Sequence, residues 1–380
     1  MSLDYGTLRV IWWALLGVLL VGFAVMDGFD LGVAMLHPFV PRNENQRRVL
    51  LNTIGPVWEG NQVWFILGGG AVFAAWPLLY AASFSGFYLA MMLVLAGLIL
   101  RPVALTFRGK MPSLAWRRSW DWIFFLSGVV PSLVFGVAFG NLLLGTPFHF
   151  DQTLQMSYAG NLFGLLNPFA LLCGLTSVAM LAMQGASFLA SKSEGEVALR
   201  ARTFGIIAAT SLIALLTVGG VWVAYGMDGF VIRGVIDPAG PSNPLLKSVV
   251  REAGGWLINY RKIPVSLCAP AIAYLGASGA ALFLLKASPR AALICSSASV
   301  AGVITTAGFS LFPFLFPSSS HPDQSLTVWD ASSSETTLKL MLAVALFFLP
   351  IVLAYTSWVF HVFRGPVTEE AIERGEDYYY

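Results

Sequence analysis

Apolar stretches of about 20 residues or more recur along this chain, and they constrain it most, because a bilayer core takes about 20 helical residues to cross. Nine are readable: 9–36, 56–76, 78–101, 120–143, 161–190, 203–226, 263–285, 290–316 and 337–362. Within hydrocarbon every backbone N–H and C=O must be paired internally, which leaves helices or closed barrels. Barrel strands of about 9–11 residues are too short for these runs. The fold class is therefore all-α, a polytopic membrane protein with residues 1–380 as a single integral membrane domain. Only 11% of the residues are charged, against about 25% in soluble domains, so the several soluble domains that this length would otherwise permit are set aside.

A net charge of +2 leaves no electrostatic footprint for nucleic acid. Cys173, Cys268 and Cys295 all fall in apolar segments without a CxxC pair, so neither a disulfide framework nor a zinc site is indicated. The opening MSLDYGTLRV lacks the basic region of a signal peptide and precedes a run too long for one. It reads as a retained first span.

Lys and Arg set the expected orientation. Fifteen of the 22 basic residues lie in one alternate set of connections: Arg42, Arg47 and Arg48; Arg101 to Arg118; Lys192 to Arg202; Lys286 and Arg290; Arg364 and Arg374. The other set has basic residues mainly in the long connection 227–262, and long loops weigh little in the positive-inside rule. The expectation is an N-terminus outside, nine spans and a cytoplasmic tail, 363–380. The outer loop 227–262 carries Pro238, Pro241 and Pro244 and is expected to hold a short surface helix. Ser332-x-x-Glu335 reads as a capping box opening the ninth span. Tyr378, Tyr379 and Tyr380 end the tail with no evident role. Met26-Asp27-Gly28-Phe29 returns as Met227-Asp228-Gly229-Phe230, the form an inverted repeat would take, but four residues are better ascribed to chance.

Asp27 and Asp30, three apart on one helix face, sit at the cytoplasmic end of span one. Glu59 opens span two, Arg101 closes span three and Asp121 opens span four, all at that depth, so a shared cluster is expected. Intramembrane acids mark proton or ion routes by default. The plainer alternatives are headgroup contact, a helix-dipole role for Glu59 and Asp121, and a snorkelling anchor for Arg101. They suit Asp121 best and Asp27 and Glu59 least. The most distinctive stretch is Trp58-Glu59-Gly60-Asn61-Gln62-Val63-Trp64. An interfacial aromatic belt explains Trp58 and Trp64 better than the polar residues Asn61 and Gln62 between them.

Haem in helical bundles is held by histidines from facing helices. None of His37, His149, His321 and His361 falls mid-span; each reads as a loop or interface histidine. No dinucleotide, P-loop or HExxH motif is present. The residues argue against a haem or metal ligated by this chain alone, and against a complete catalytic unit.

Trp12-Trp13, Asp27-Gly-Phe-Asp30-Leu-Gly, Trp58-Glu-Gly-Asn-Gln-Val-Trp64 and Phe73-Ala-Ala-Trp76-Pro, in this order and spacing, resemble subunit II of the cytochrome bd-type quinol oxidases. So do Gly86-Phe-Tyr88, Arg101-Pro102, Trp120-Asp-Trp122, Gly136-Val-Ala-Phe-Gly-Asn141, Arg251-Glu-Ala-Gly254, Phe312-Pro313 and Leu326-Thr-Val-Trp-Asp-Ala331. The resemblance implies two four-helix bundles plus one peripheral helix, in a heterodimer with a subunit I that holds two haems b and one haem d. It implies quinol oxidation on the outer side, oxygen reduction to water with protons drawn from the cytoplasm, and a bacterial inner-membrane location. Asp27 and Glu59 match the family's acidic positions for proton delivery; Glu59 stands where many relatives have Asp, one methylene shorter. A quinone or lipid bound in this chain and small accessory subunits fit the resemblance without residues to assign them. Two other readings compete: a proton-coupled secondary transporter, which requires broken spans with midplane polarity, and a purely structural subunit.

Overall fold

A computed structural model describes residues 4–374. Residues 1–3 and the end of the expected tail, with Tyr378, Tyr379 and Tyr380, lie outside the described residues.

Helix α1, Tyr5–Leu36, is capped by Asp4, whose side chain accepts from Thr7 N. A short amphipathic α2, Glu44–Ile54, follows. Then come α3, Trp58–Ala75, α4, Pro77–Gly86, α5, Tyr88–Phe107, and α6, Leu114–Leu144. A hairpin of β1, Phe148–Phe150, and β2, Met156–Tyr158, leads to α7, Pro168–Lys192, and α8, Gly195–Tyr225. A second antiparallel hairpin, β3, Asp228–Arg233, and β4, Ser248–Ala253, precedes the one-turn α9, Ile258–Lys262. Helices α10, Cys268–Leu285, and α11, Pro289–Leu311, are followed by the pair β5, Phe314–Phe316, and β6, Leu326–Thr327. Helix α12, Glu335–Val362, and the short α13, Glu369–Glu373, end the described chain.

Among the described residues, eight helices are long and apolar enough to cross a bilayer, and the bent pair α3 and α4 makes up to nine. Connectivity favours the count of nine among the described residues. Ser333 N, just before α12, donates to Ala75 O at the end of α3, whereas α3 begins where Arg101 of α5 lies 6.0 Å from the Trp58 ring. Helix α3 thus runs from one face to the other. The expected third span, 78–101, is displaced. Pro77 disfavours helical backbone at Trp76, the pair bends by 119° there, and 77–86 forms a separate helix. The span is α5, and nothing in the hydropathy of 77–107 marks the break at Phe87 (φ −98°, ψ 22°).

Helices α7, α8, α10 and α11 close a ring in which each packs on two neighbours, while α1 meets α3, α6, α7, α11 and α12. Helix α12 packs on α1 and α3, with Leu338 buried. One face gathers the 37–57 connection, Arg108, the end of α7 and the tail. Lys192 Nζ donates to Phe363 O, Arg200 Nε to Val40 O, and α13 packs on α2. This basic face matches the grouping expected from Lys and Arg.

The opposite face holds the start of α1 and the three hairpins, and the sequence reading of its loops is revised in two places, the long connection and the cap of α12. The long connection is mainly a β-hairpin, with only α9 as the expected short helix. The second Met-Asp-Gly-Phe enters strand β3 whereas the first is helical, so the echo is not a structural repeat. The cap of α12 is Ser334, whose hydroxyl accepts from Thr337 N. Ser332 is turned away to meet Arg9, donor to its Oγ at 2.6 Å.

Candidate functional site

At the basic end, the buried side chains of α3 recur as Trp58, Asn61, Trp64, Gly68, Ala71 and Ala75, a stripe at helical spacing. That stripe turns Asn61 toward α1, where its Nδ2 donates to Asp30 Oδ2 at 2.9 Å. Asp27, one turn earlier on α1, accepts from Arg101 Nη2 of α5 at 2.6 Å. Asp27, Asp30 and Arg101 are all 0% exposed. Arg101 is therefore no snorkelling anchor; it is a buried counter-ion with the Trp58 ring beside it. Asp27 Oδ2, Asp30 Oδ1 and Arg101 Nε and Nη1 have no hydrogen-bond partner among the described residues. The cluster thus keeps unused donors and acceptors, which water or a proton can satisfy.

The single expected cluster of four acids and one arginine is not what forms. Glu59 lies in the first turn of α3, as expected, but the buried stripe leaves it on the other side. It is exposed, with no ion pair among the described residues. Gln62 shares that side and is half-buried. Asp121 does not open its helix: α6 begins at Leu114, so Asp121 is two turns in, beyond the reach of the dipole argument.

Asp121 belongs to a second network. Arg108 Nε donates to Asp121 Oδ1 at 2.5 Å, and Arg108 Nη1 and Nη2 clamp Glu44 of α2 at 2.7 and 3.0 Å. Arg47 lies 3.6 Å from Asp121 Oδ2 and Arg117 3.5 Å from Glu44 Oε1. Burial opposes ionisation of Glu44, but the hydrogen bond and charge of Arg108, helped by Arg117, hold its carboxyl below the usual range. His37 stands in the turn that follows α1, as expected, yet is 0% exposed, with Nδ1 3.6 Å from Asp121, too far for a hydrogen bond. Burial first, then Arg108 and Arg47, push its imidazole down to about 3, so it is neutral here.

Helix α2, Glu44, His37 and Arg108 escaped the sequence reading. Asn43-x-x-Gln46 is a capping signal that marks α2: Asn43 Oδ1 accepts from Gln46 N. Nothing comparable distinguishes Arg108 from its basic neighbours. Farther into the array, Gln184 of α7 bridges α1 and α11 through Val25 O, Ser297 Oγ and Ser296 Oγ. No group of three or more His, Cys, Asp and Glu is placed to hold a metal among the described residues.

The family described as "Cytochrome bd terminal oxidase subunit II" matches residues 8–363. The chain is 50% identical over 375 residues, 98% of each chain, to "Cytochrome bd-I ubiquinol oxidase subunit 2" of Escherichia coli strain K12. It is 48% identical to "Probable cytochrome oxidase subunit 2" of Haemophilus influenzae, covering 98% of this chain and 99% of that one. It is 34% identical to "Cytochrome bd ubiquinol oxidase subunit 2" of Bacillus subtilis, covering 96% and 98%. Among solved structures, a chain of the bd oxidase from Geobacillus thermodenitrificans superposes with a TM-score of 0.69 at 16% identity, over 94% of this chain and 98% of that one. That last likeness concerns the fold alone.

Proposed function

Since the chain belongs to the cytochrome bd terminal oxidase subunit II family, and is thus a subunit of an oxidoreductase complex, we propose that it scaffolds the haem-bearing subunit I and carries a proton path from the cytoplasm. The family implies that partner and a bacterial inner membrane. Two haems b and one haem d on subunit I would take electrons from quinol and reduce oxygen. Family membership displaces the transporter reading.

The observation that carries the proton role is a charge count among buried side chains. Two carboxylates, Asp27 and Asp30, face one guanidinium, Arg101, and all three are fully buried. With both acids ionised the cluster holds a net negative charge, and an uncompensated buried charge costs several kcal/mol. Holding one proton neutralises it. Acids so placed take up a proton when one arrives and release it when a stronger demand draws on it. Glu59, exposed at the start of α3, is the proposed entry. Asn61 on the inner side of the same turn holds Asp30, and Arg101 balances the pair. Asp121 is proposed to act one step outward, through Arg108 and Glu44. In this reading the basic face is cytoplasmic, with the N-terminus outside. Trp58 and Trp64 support the entry by packing, Trp58 beside Arg101 and Trp64 against Gly22.

Glu59→Gln in the purified complex tests this. Glu59 is exposed, so its loss leaves the fold intact. Oxygen uptake with quinol is expected to slow with haem absorbance unchanged. Unchanged turnover would remove Glu59 from the path, and loss of haem would make its role structural.

A further inference from the structure

We propose that His149 and His321, on the face opposite the buried acids, form a binding site for a borderline divalent transition ion such as Zn²⁺, Cu²⁺ or Ni²⁺. The two histidines are 172 residues apart in sequence, yet their rings lie with centroids 5.0 Å apart and planes inclined by 39°. With metal–nitrogen bonds of about 2.0 Å and a ring nitrogen about 1.1 Å from its centroid, two imidazoles on a tetrahedral ion have centroids about 5 Å apart. The inclination is free to differ, because each ring rotates about its metal–nitrogen bond. Imidazole is the ligand these ions favour, and His149 is half-buried while His321 is exposed, so an ion can reach both.

The backbones that carry the two rings are stitched together, which holds the two loops side by side before any ion binds. His149 sits in β1, opposite Ser157 of β2. On either side of it, Phe148 O accepts from Ser318 and Ser320 hydroxyls, and Gln324 bonds both Phe150 N and Phe150 O. His321 N donates to Ser318 Oγ, and His321 O accepts from Gln324 N. Rigid positioning of first ligands by such surrounding bonds is what gives a metal site its affinity. No third His, Cys, Asp or Glu completes the set among the described residues. The ion therefore keeps exchangeable positions, and its structural effect is to staple the loop after α6 to the loop after α11.

The test uses the purified oxidase complex, freed of adventitious metal by chelator and titrated with Cu²⁺. The expected result is a site whose electron paramagnetic resonance shows coupling to two imidazole nitrogens. His149→Asn and His321→Gln, each alone, are expected to abolish the two-nitrogen pattern. Each is also expected to weaken binding at least as much as the loss of a supporting outer-shell partner, about 10–100-fold. Both positions are surface ones, and unchanged haem spectra check that the variants are folded. Binding that neither substitution alters, or no binding tied to these residues, overturns the proposal.

Discussion

Gly32 of α1 and Gly185 of α7 meet backbone to backbone. A Cβ on Gly32 would sit 2.1 Å from Leu181 O and 2.7 Å from Gly185 Cα, and one on Gly185 would sit 2.4 Å from the Gly32 carbonyl carbon. Gly28, one turn earlier, also faces Leu181, so Gly28-x-x-x-Gly32 is a small-residue seam of the kind that draws membrane helices together. Between helices in lipid there is no hydrophobic drive, and close van der Waals packing does the work. At 100° per residue, this seam lies roughly opposite Asp27 and Asp30. Seating α1 on α7 therefore turns both acids toward α3 and α5.

Gly32→Val is expected to cost more than the about 1–3 kcal/mol of ordinary overpacking, because the obstacle is backbone and cannot step aside. Gly17→Ala on the same helix meets nothing within 4 Å and is expected to be neutral or slightly stabilising. Thermal unfolding of the complex checks both; equal effects would refute the seam.

Arg101→Met leaves Asp27 and Asp30 buried without their cation, and breaking a buried pair from one side costs about 3–5 kcal/mol. Asp27→Leu combined with Arg101→Met is expected to regain part of that loss while failing to restore turnover. Stability and oxygen uptake, measured on the same preparations, separate the two roles.

Arg9 is fully buried and donates to Ser332 Oγ, Pro238 O, Gly240 O and Ser242 Oγ. It ties the long hairpin connection and the start of α12 to the start of α1. Hydrogen bonds to a charged group are worth about 1.5–3 kcal/mol each. Arg9→Met is expected to make residues 234–247 the first site of limited proteolysis and to raise their hydrogen exchange. Unchanged protection there would show that the loop is held otherwise.

Acid is expected to loosen α2 from the basic face. A carboxyl held low, as in Glu44, gives stability that is complete above its ordinary value of 4.5 and is lost as pH falls through its native value. Neutral His37 gives stability that is complete above 6.5 and is lost as pH falls toward about 3. Both contributions have the same sign. In His37→Phe the fall of the melting temperature between pH 6.5 and 4.5 is expected to flatten, while the part of the fall below 4.5 that belongs to Glu44 remains. A profile unchanged by the substitution would show that His37 takes no part.

The apolar runs determined an all-helical membrane fold, and the placement of Lys and Arg determined which connections share a face. Both are local properties: a helix is decided by the 20 or so residues it contains, and a charge near its end by the cost of burying it. The three-residue spacing of Asp27 and Asp30 was legible for the same reason, as was the helix start at Glu59. Which acids meet was not. The buried stripe of α3 sent Asn61 inward and Glu59 outward, and a helix that starts at Leu114 moved Asp121 from a helix terminus into a network with Arg108. The azimuth and register of a packed helix follow from contacts with residues distant in sequence, such as Gly32 on Gly185. The hydropathy of a single span carries no record of them, so only the tertiary structure decided that Arg101 neutralises Asp27 and that His149 stands beside His321.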